Sequence, residues 1–197
     1  MRLAGTTRLP YPAINKFMPN CVDINLHIDP LKEGLDIKLY GTTTHMEIPL
    51  NDINHNLISF LSTLNLTIGF AELFYTLPFS VTVIHIDAFG GDYTKLNYIY
   101  GGKNSCMNWY KQKTNISNSP STTTINSPYI SYKKHQVNLI DKHQVKFPSI
   151  VQVGIPHNIH NFEEPRYCLS LILKKQDNTR LTMAESIELF TEIILIK

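Results

Sequence analysis

The chain has 197 residues, 43% of them apolar and 17% charged, which describes one folded domain (1–197) with a sizeable core and excludes wholesale disorder. Eighteen Lys and Arg against sixteen Asp and Glu leave a net charge of +2, without the basic excess usual in proteins that bind nucleic-acid phosphates, which weakly disfavours such a partner. Three widely spaced cysteines (Cys21, Cys106 and Cys168) with no CxxC pair argue against a disulfide framework or a structural zinc site, and for a reducing, cytoplasmic setting.

Residues 1–22 are punctuated by Pro10, Pro12, Pro19 and Asn20 and read as an irregular arm without the apolar run of a signal peptide. Residues 23–30 and 34–41 read as short strands joined by a turn, and THMEIPL as a further extended piece. Ile53, Leu57, Phe60, Leu61 and Leu64 fall on one face of a helix over 51–66, capped at Asn51 or Asp52. The longest apolar region, 57–86, is broken by Asn65, Glu72, Pro78 and His85, too polar to span a membrane. Strands follow at 80–89, 94–102 and 105–113, the last two joined as a hairpin about Gly101–Asn104. Residues 114–128 are rich in Ser, Thr and Asn and read as an exposed loop, so that 111–135 suits a mobile lid. YISYKKHQVNLI, SIVQVGI and RYCLSLIL give three more strands, and Thr182 and Glu185 stand in capping-box spacing at the head of a helix over 182–197. The aromatic set Tyr98, Tyr100, Trp109 and Tyr110 reads as core and barrel wall. Many short strands with flanking helices predict a mainly β barrel or sandwich.

The chemistry concentrates in V-T-V-I-H-I-D-A-F. Alternate residues of a strand share a face, so His85 and Asp87 project together while Ile84 and Ile86 point away. An imidazole and a carboxylate on an apolar strand need a partner, and a divalent metal is one. Two histidines and one carboxylate form the facial triad of non-haem iron oxygenases, which leaves coordination positions open. His157, in G-I-P-H-N-I-H, supplies a second histidine between a strand and a turn. Nine residues later Arg166 opens a strand on which Arg166, Cys168 and Ser170 share one face. A fixed guanidinium beside an open metal site suits a dicarboxylate, because Arg binds carboxylate through two parallel hydrogen bonds.

The ordered set His85-x-Asp87, His157 and Arg166 resembles the pattern of the Fe(II)/2-oxoglutarate-dependent dioxygenases, over roughly residues 80–174. The 72 residues from His85 to His157 and the nine to Arg166 also resemble that family's spacing. The resemblance implies a double-stranded β-helix, a cupin-like jelly roll over 80–174, with residues 1–75 packing on it. It implies that His85, Asp87 and His157 hold Fe(II) and that Arg166 holds the distal carboxylate of 2-oxoglutarate. Cys168 stands where a common variant of the family has Ser, and Ser170 and Asn97 complete the cosubstrate wall. The implied reaction consumes O2 and 2-oxoglutarate and hydroxylates a C–H bond of an amino acid, a peptide side chain or a small metabolite.

A second HxD, His27-Ile28-Asp29, lies 130 residues before His157 and is closed by Pro30. His160 competes with His157 but leaves only six residues to Arg166; His135 and His143 lie further upstream. Two other functions fit such a barrel: a cupin metalloenzyme that does not use 2-oxoglutarate, and a non-catalytic binding or virion protein.

Overall fold

The computed structural model describes residues 19–33, 35, 37, 45–87, 91–114, 118–123, 127–146 and 148–195. Most of the expected arm and most of the expected strand at 34–41 lie outside the described residues. Two antiparallel sheets of six strands make up the frame. The first comprises β1 (Cys21–Asp23), β2 (His45–Glu47), β3 (Leu66–Thr76), β5 (Thr94–Gly101), β10 (Ser149–Gln152) and β12 (Arg166–Lys175), in the order β1-β10-β5-β12-β3-β2. The second comprises β4 (Ile84–Asp87), β6 (Cys106–Gln112), β7 (Pro120–Thr122), β8 (Pro128–Tyr132), β9 (Val137–His143) and β11 (His157–His160), in the order β7-β8-β4-β11-β6-β9. Among the described residues two α-helices accompany them, α1 (His55–Thr63) and α2 (Met183–Leu189).

Strand alternation divides the first sheet into two chemically different faces. Ala71 and Leu73 of β3, Leu96 and Tyr98 of β5, and Leu169 and Leu171 of β12 point outward. There they pack against Leu57 and Leu61 of α1, Met183 at the start of α2 and Phe190 just beyond it, and the Ile24–Leu31 segment. The opposite positions, Glu72, Lys95, Asn97, Arg166, Cys168 and Ser170, are buried toward the second sheet. The main hydrophobic core thus lies behind the first sheet, and the space between the sheets is free to be polar. A smaller apolar cluster between the sheets joins Met107 and Trp109 of β6 to Val151 and Val153, with the Trp109 indole donating to the Gln152 carbonyl at 2.7 Å.

Several sequence expectations change here. The helix starts later, because Asn54 is its cap and accepts from the Asn56 amide, while Leu50–Asp52 form a 3-10 turn. It ends earlier, because Asn65 adopts a left-handed conformation (φ 57°) and Leu66 opens β3, an 11-residue strand that the apolar run had hidden. Residues 94–101 and 106–112 are strands but not a hairpin: β5 and β6 belong to different sheets, and Gly101, Gly102 and Asn104, all at positive φ, turn the chain across the gap. The polar stretch at 114–128 is not all loop, since β7 pairs with β8. YISYKKHQVNLI divides at the 3-10 turn Lys134–Gln136 into β8 and β9. No described strand covers 25–29. The C-terminal helix has its reciprocal Thr182–Glu185 cap but stops at Leu189, giving way to a 3-10 turn.

Leu169 is fully buried in the main core, whereas Val83 is 62% exposed. Leu169→Ala is expected to lower the unfolding free energy by about 2–5 kcal/mol. Val83→Ala should change it by less than about 0.5 kcal/mol, with urea denaturation followed by Trp109 fluorescence as the measurement.

Candidate metal centre and adjoining cavities

Strand β4 turns His85 and Asp87 toward the first sheet, while Ile84 and Ile86 pack on Tyr132 and Val137 on the other side. In the antiparallel pairing of β11 with β4, His157 stands directly opposite His85, so the two rings meet with centroids 4.5 Å apart. His157 therefore lies on a strand rather than in a loop before a turn. His85 Nε2 is 3.3 Å and His157 Nε2 3.9 Å from Asp87 Oδ1, and the three ligand atoms lie within 4.8 Å of one another.

Both rings are held by backbone. His85 Nδ1 lies 2.9 Å from the Val83 carbonyl, and His157 Nδ1 2.9 Å from that of Ile155. A carbonyl only accepts, so Nδ1 carries a proton in each ring and Nε2 is the atom turned inward. Two lone pairs and a carboxylate converging on one point repel unless a proton or a cation stands among them. Burial, then the His85 neighbour, lowers the His157 pKa to about 4 and keeps that ring neutral. Burial pulls His85 down too, but its hydrogen bond and charge contact with Asp87 prevail and leave it raised. Asp87 is held well below the usual carboxylate range, against its burial, by the Lys95 ammonium and then by the two histidines. A neutral His157, an ionised Asp87 and a His85 whose Nε2 proton a cation would displace form the donor set a divalent metal needs, so these residues fit the metal.

Lys95 of β5, 6% exposed, lies 2.7 Å from Asp87 Oδ2 and 2.9 Å from Glu72 Oε2. It occupies the outer oxygen of Asp87 and leaves Oδ1 turned to the histidines. Sequence reading missed Lys95 and Glu72. The available signal was that Lys95 shares a strand face with Asn97.

The remaining predicted residues line the same cavity as the triad, a space of about 150 Å³. Ser170 sits opposite Asn97 in the β12–β5 ladder and donates to its Oδ1 at 2.7 Å. Cys168 is buried, and burial pushes its thiol pKa up despite Arg166 beside it. Arg166 is 3% exposed and takes part in no ion pair among the described residues. Gly102, at φ 62°, leaves room for its stem, since a Cβ there would stand 2.6 Å from Arg166 Cβ. A buried cation without an anion points to an anionic ligand.

The competing histidines go elsewhere. His27 and Asp29 lie off any strand, and Asp29 accepts from the Leu31 amide and from Tyr100. His160 stacks on Phe162. His143 joins a second group that the sequence did not announce: Cys21, Asp23 and His143 bring their ligand atoms within 4.8 Å and could hold a metal ion. There Asp23 accepts from Ser149 at 2.7 Å and lies 3.2 Å from His143 Nε2. Topology alone joins β1 to β9 in space, across 120 positions of chain. All three cysteines are buried and none is joined in a disulfide among the described residues, and no described helix is long and apolar enough to cross a membrane.

Two measurements follow from this geometry. Lys95→Met leaves Glu72 and Asp87 buried without their cation and is expected to cost about 3–5 kcal/mol of stability in urea. His85→Ala and His157→Ala should each abolish one-to-one binding of Fe(II) or Co(II) in anaerobic calorimetry, with the far-ultraviolet spectrum retained, whereas His27→Ala should bind as the parent does.

Compared with known proteins, the chain matches no protein-family model, and no curated protein matches it in sequence.

Proposed function

We propose that this protein is a non-haem Fe(II)/2-oxoglutarate-dependent dioxygenase that hydroxylates a C–H bond of a small molecule or a peptide side chain. One observation carries the reading: the His85–Asp87–His157 cluster and the buried, unpaired Arg166 line one cavity. The strand pairing supports a jelly roll, because β3 pairs with β12 and β5 with β10 in one sheet, while β4 pairs with β11 and β6 with β9 in the other. A non-catalytic barrel is expected to turn Arg166 to solvent, and its 3% exposure speaks against that.

The net reaction is R–H + O2 + 2-oxoglutarate → R–OH + succinate + CO2. When bound, iron couples oxygen reduction and cosubstrate decarboxylation to oxidation of the C–H bond. The chain's own part is positional. His85 and His157 present Nε2 from two neighbouring strands, each ring fixed by its carbonyl. Asp87 stays ionised because Lys95 holds it. Arg166 receives the distal carboxylate of 2-oxoglutarate, and Gly102 keeps its stem in place. The Ser170–Asn97 pair and the Cys168 thiol form the wall beside it. Apolar neighbours, Phe74, Met107 and Ile159, exclude water from the same space.

Anaerobic addition of Fe(II) and then 2-oxoglutarate should produce a visible metal-to-ligand charge-transfer band. Truncating one member of a buried charge pair costs roughly 2–5 kcal/mol, about thirtyfold or more in affinity. Arg166→Ala should therefore weaken 2-oxoglutarate by at least about tenfold with Fe(II) binding nearly unchanged, and Arg166→Lys should fall between. Metal binding with no affinity for 2-oxoglutarate would favour a cupin metalloenzyme of another kind.

A further inference from the structure

Beside the metal cavity lies a larger one of about 430 Å³, within the usual range of small-molecule sites (roughly 300–1,000 Å³). The two share Phe74, Thr82, His85, Asp87 and Lys95, so a molecule in the larger space reaches the proposed metal. Its wall is mostly apolar, with Phe74, Val83, Tyr129 and Ile172 contributing.

In this wall one cation has no anionic partner and one buried ring nitrogen has no hydrogen-bond partner among the described residues. Arg180, partly buried, lays its guanidinium 4.7 Å from the centre of the Tyr93 ring and joins no ion pair among the described residues. The His45 side chain is 9% exposed, stacked on Phe74 at 5.2 Å. Its buried Nε2 has no hydrogen-bond partner among the described residues, and Glu72 Oε1 lies 3.8 Å away. Everything else charged in the cavity is engaged. Lys95 is neutralised by Glu72 and Asp87, and Ser127 donates to Glu72 at 3.0 Å.

We infer that the larger cavity binds an organic monocarboxylate, its acid group paired with Arg180, its apolar body against Phe74, and a polar substituent meeting His45 Nε2. Calling that molecule the substrate rests on the dioxygenase reading; the anion site itself does not. One unpaired guanidinium matches one planar carboxylate through parallel hydrogen bonds, whereas a phosphate dianion asks for more donors than this wall offers. The stacked His45–Phe74 pair gives the body a flat apolar shelf, and the buried Nε2 costs free energy until a ligand group satisfies it.

The test uses the purified full chain and straight-chain and aryl carboxylates of four to ten carbons, each matched with its primary amide, in saturation-transfer NMR and calorimetry. Acids should bind at least about tenfold tighter than their amides, as expected for a charge-assisted pair. The preference should vanish in Arg180→Gln, persist in part in Arg180→Lys and remain in Arg166→Ala. His45→Phe should weaken acids that carry a hydroxyl or amino group while keeping the preference for acid over amide. No preference for acids in any pair, or a preference that survives Arg180→Gln, overturns the inference. A preference lost only in Arg166→Ala overturns it too, by placing the anion in the smaller cavity. In Arg180→Gln the 2-oxoglutarate affinity should be unchanged. If the parent protein prefers acids but binds no 2-oxoglutarate, the dioxygenase reading falls and the anion site stands.

Discussion

One ammonium ties the interior together. Lys95 reaches from β5 in the first sheet to Asp87 on β4 in the second, and also across β12 to Glu72 on β3. It neutralises two buried carboxylates, sets the side of Asp87 that faces the histidines, and bridges the sheets at the point where the two cavities meet. Such a triad is costly to desolvate and contributes little net stability against an apolar substitute. Its value lies in orientation, since a carboxylate caught by a fixed cation on one oxygen presents the other in a fixed direction. The lowered pKa of Asp87 and the raised pKa of Lys95 are two views of the same contact.

This polar interior is possible because folding does not rely on it. Leu57, Leu61, Leu96, Leu169, Leu171 and Phe190 are buried behind the first sheet rather than between the sheets. Helix α1 and the segments around it close that side, so β3, β5 and β12 are apolar on one face and polar on the other while buried on both. Charged side chains between the sheets can then be chosen for what they hold.

The same two-sided burial explains which parts were legible in the sequence. His85 and Asp87 could be paired by eye because the period of two survives in V-T-V-I-H-I-D. Arg166, Cys168 and Ser170 could be grouped for the same reason, and all five meet in one cavity. The period fails to identify β3, where an outward Ala71–Leu73 and an inward Phe74 merge into one apolar run that resembles a continued helix. Turn signals at Gly101–Asn104 locate a change of direction but not the sheet the chain enters next, which is how a crossover passed for a hairpin. Lys95 and Glu72 look like ordinary surface charges in sequence, since burial is a property of the second face. The Cys21–Asp23–His143 group is legible only after β1 and β9 have been brought together.

The ladder between β4 and β11 has a further consequence. Within the strands the pair meets at His157 on His85, and the segment leading into β4 carries the pairing on through the Val81–His160 bridge and the Thr82 amide, which donates to the Ile159 carbonyl. A slip by one residue would replace His157 with Pro156 or Asn158. The register is kept from the other edge as well, where four residues of β11 pair with β6 and His157 faces Trp109. Trp109 is fully buried and anchored to the Gln152 carbonyl. A strand that supplies no ligand thus works as the alignment rail of the site. Insertions or deletions in β6 should be far less tolerated over evolution than its distance in sequence from the HxD pair would suggest.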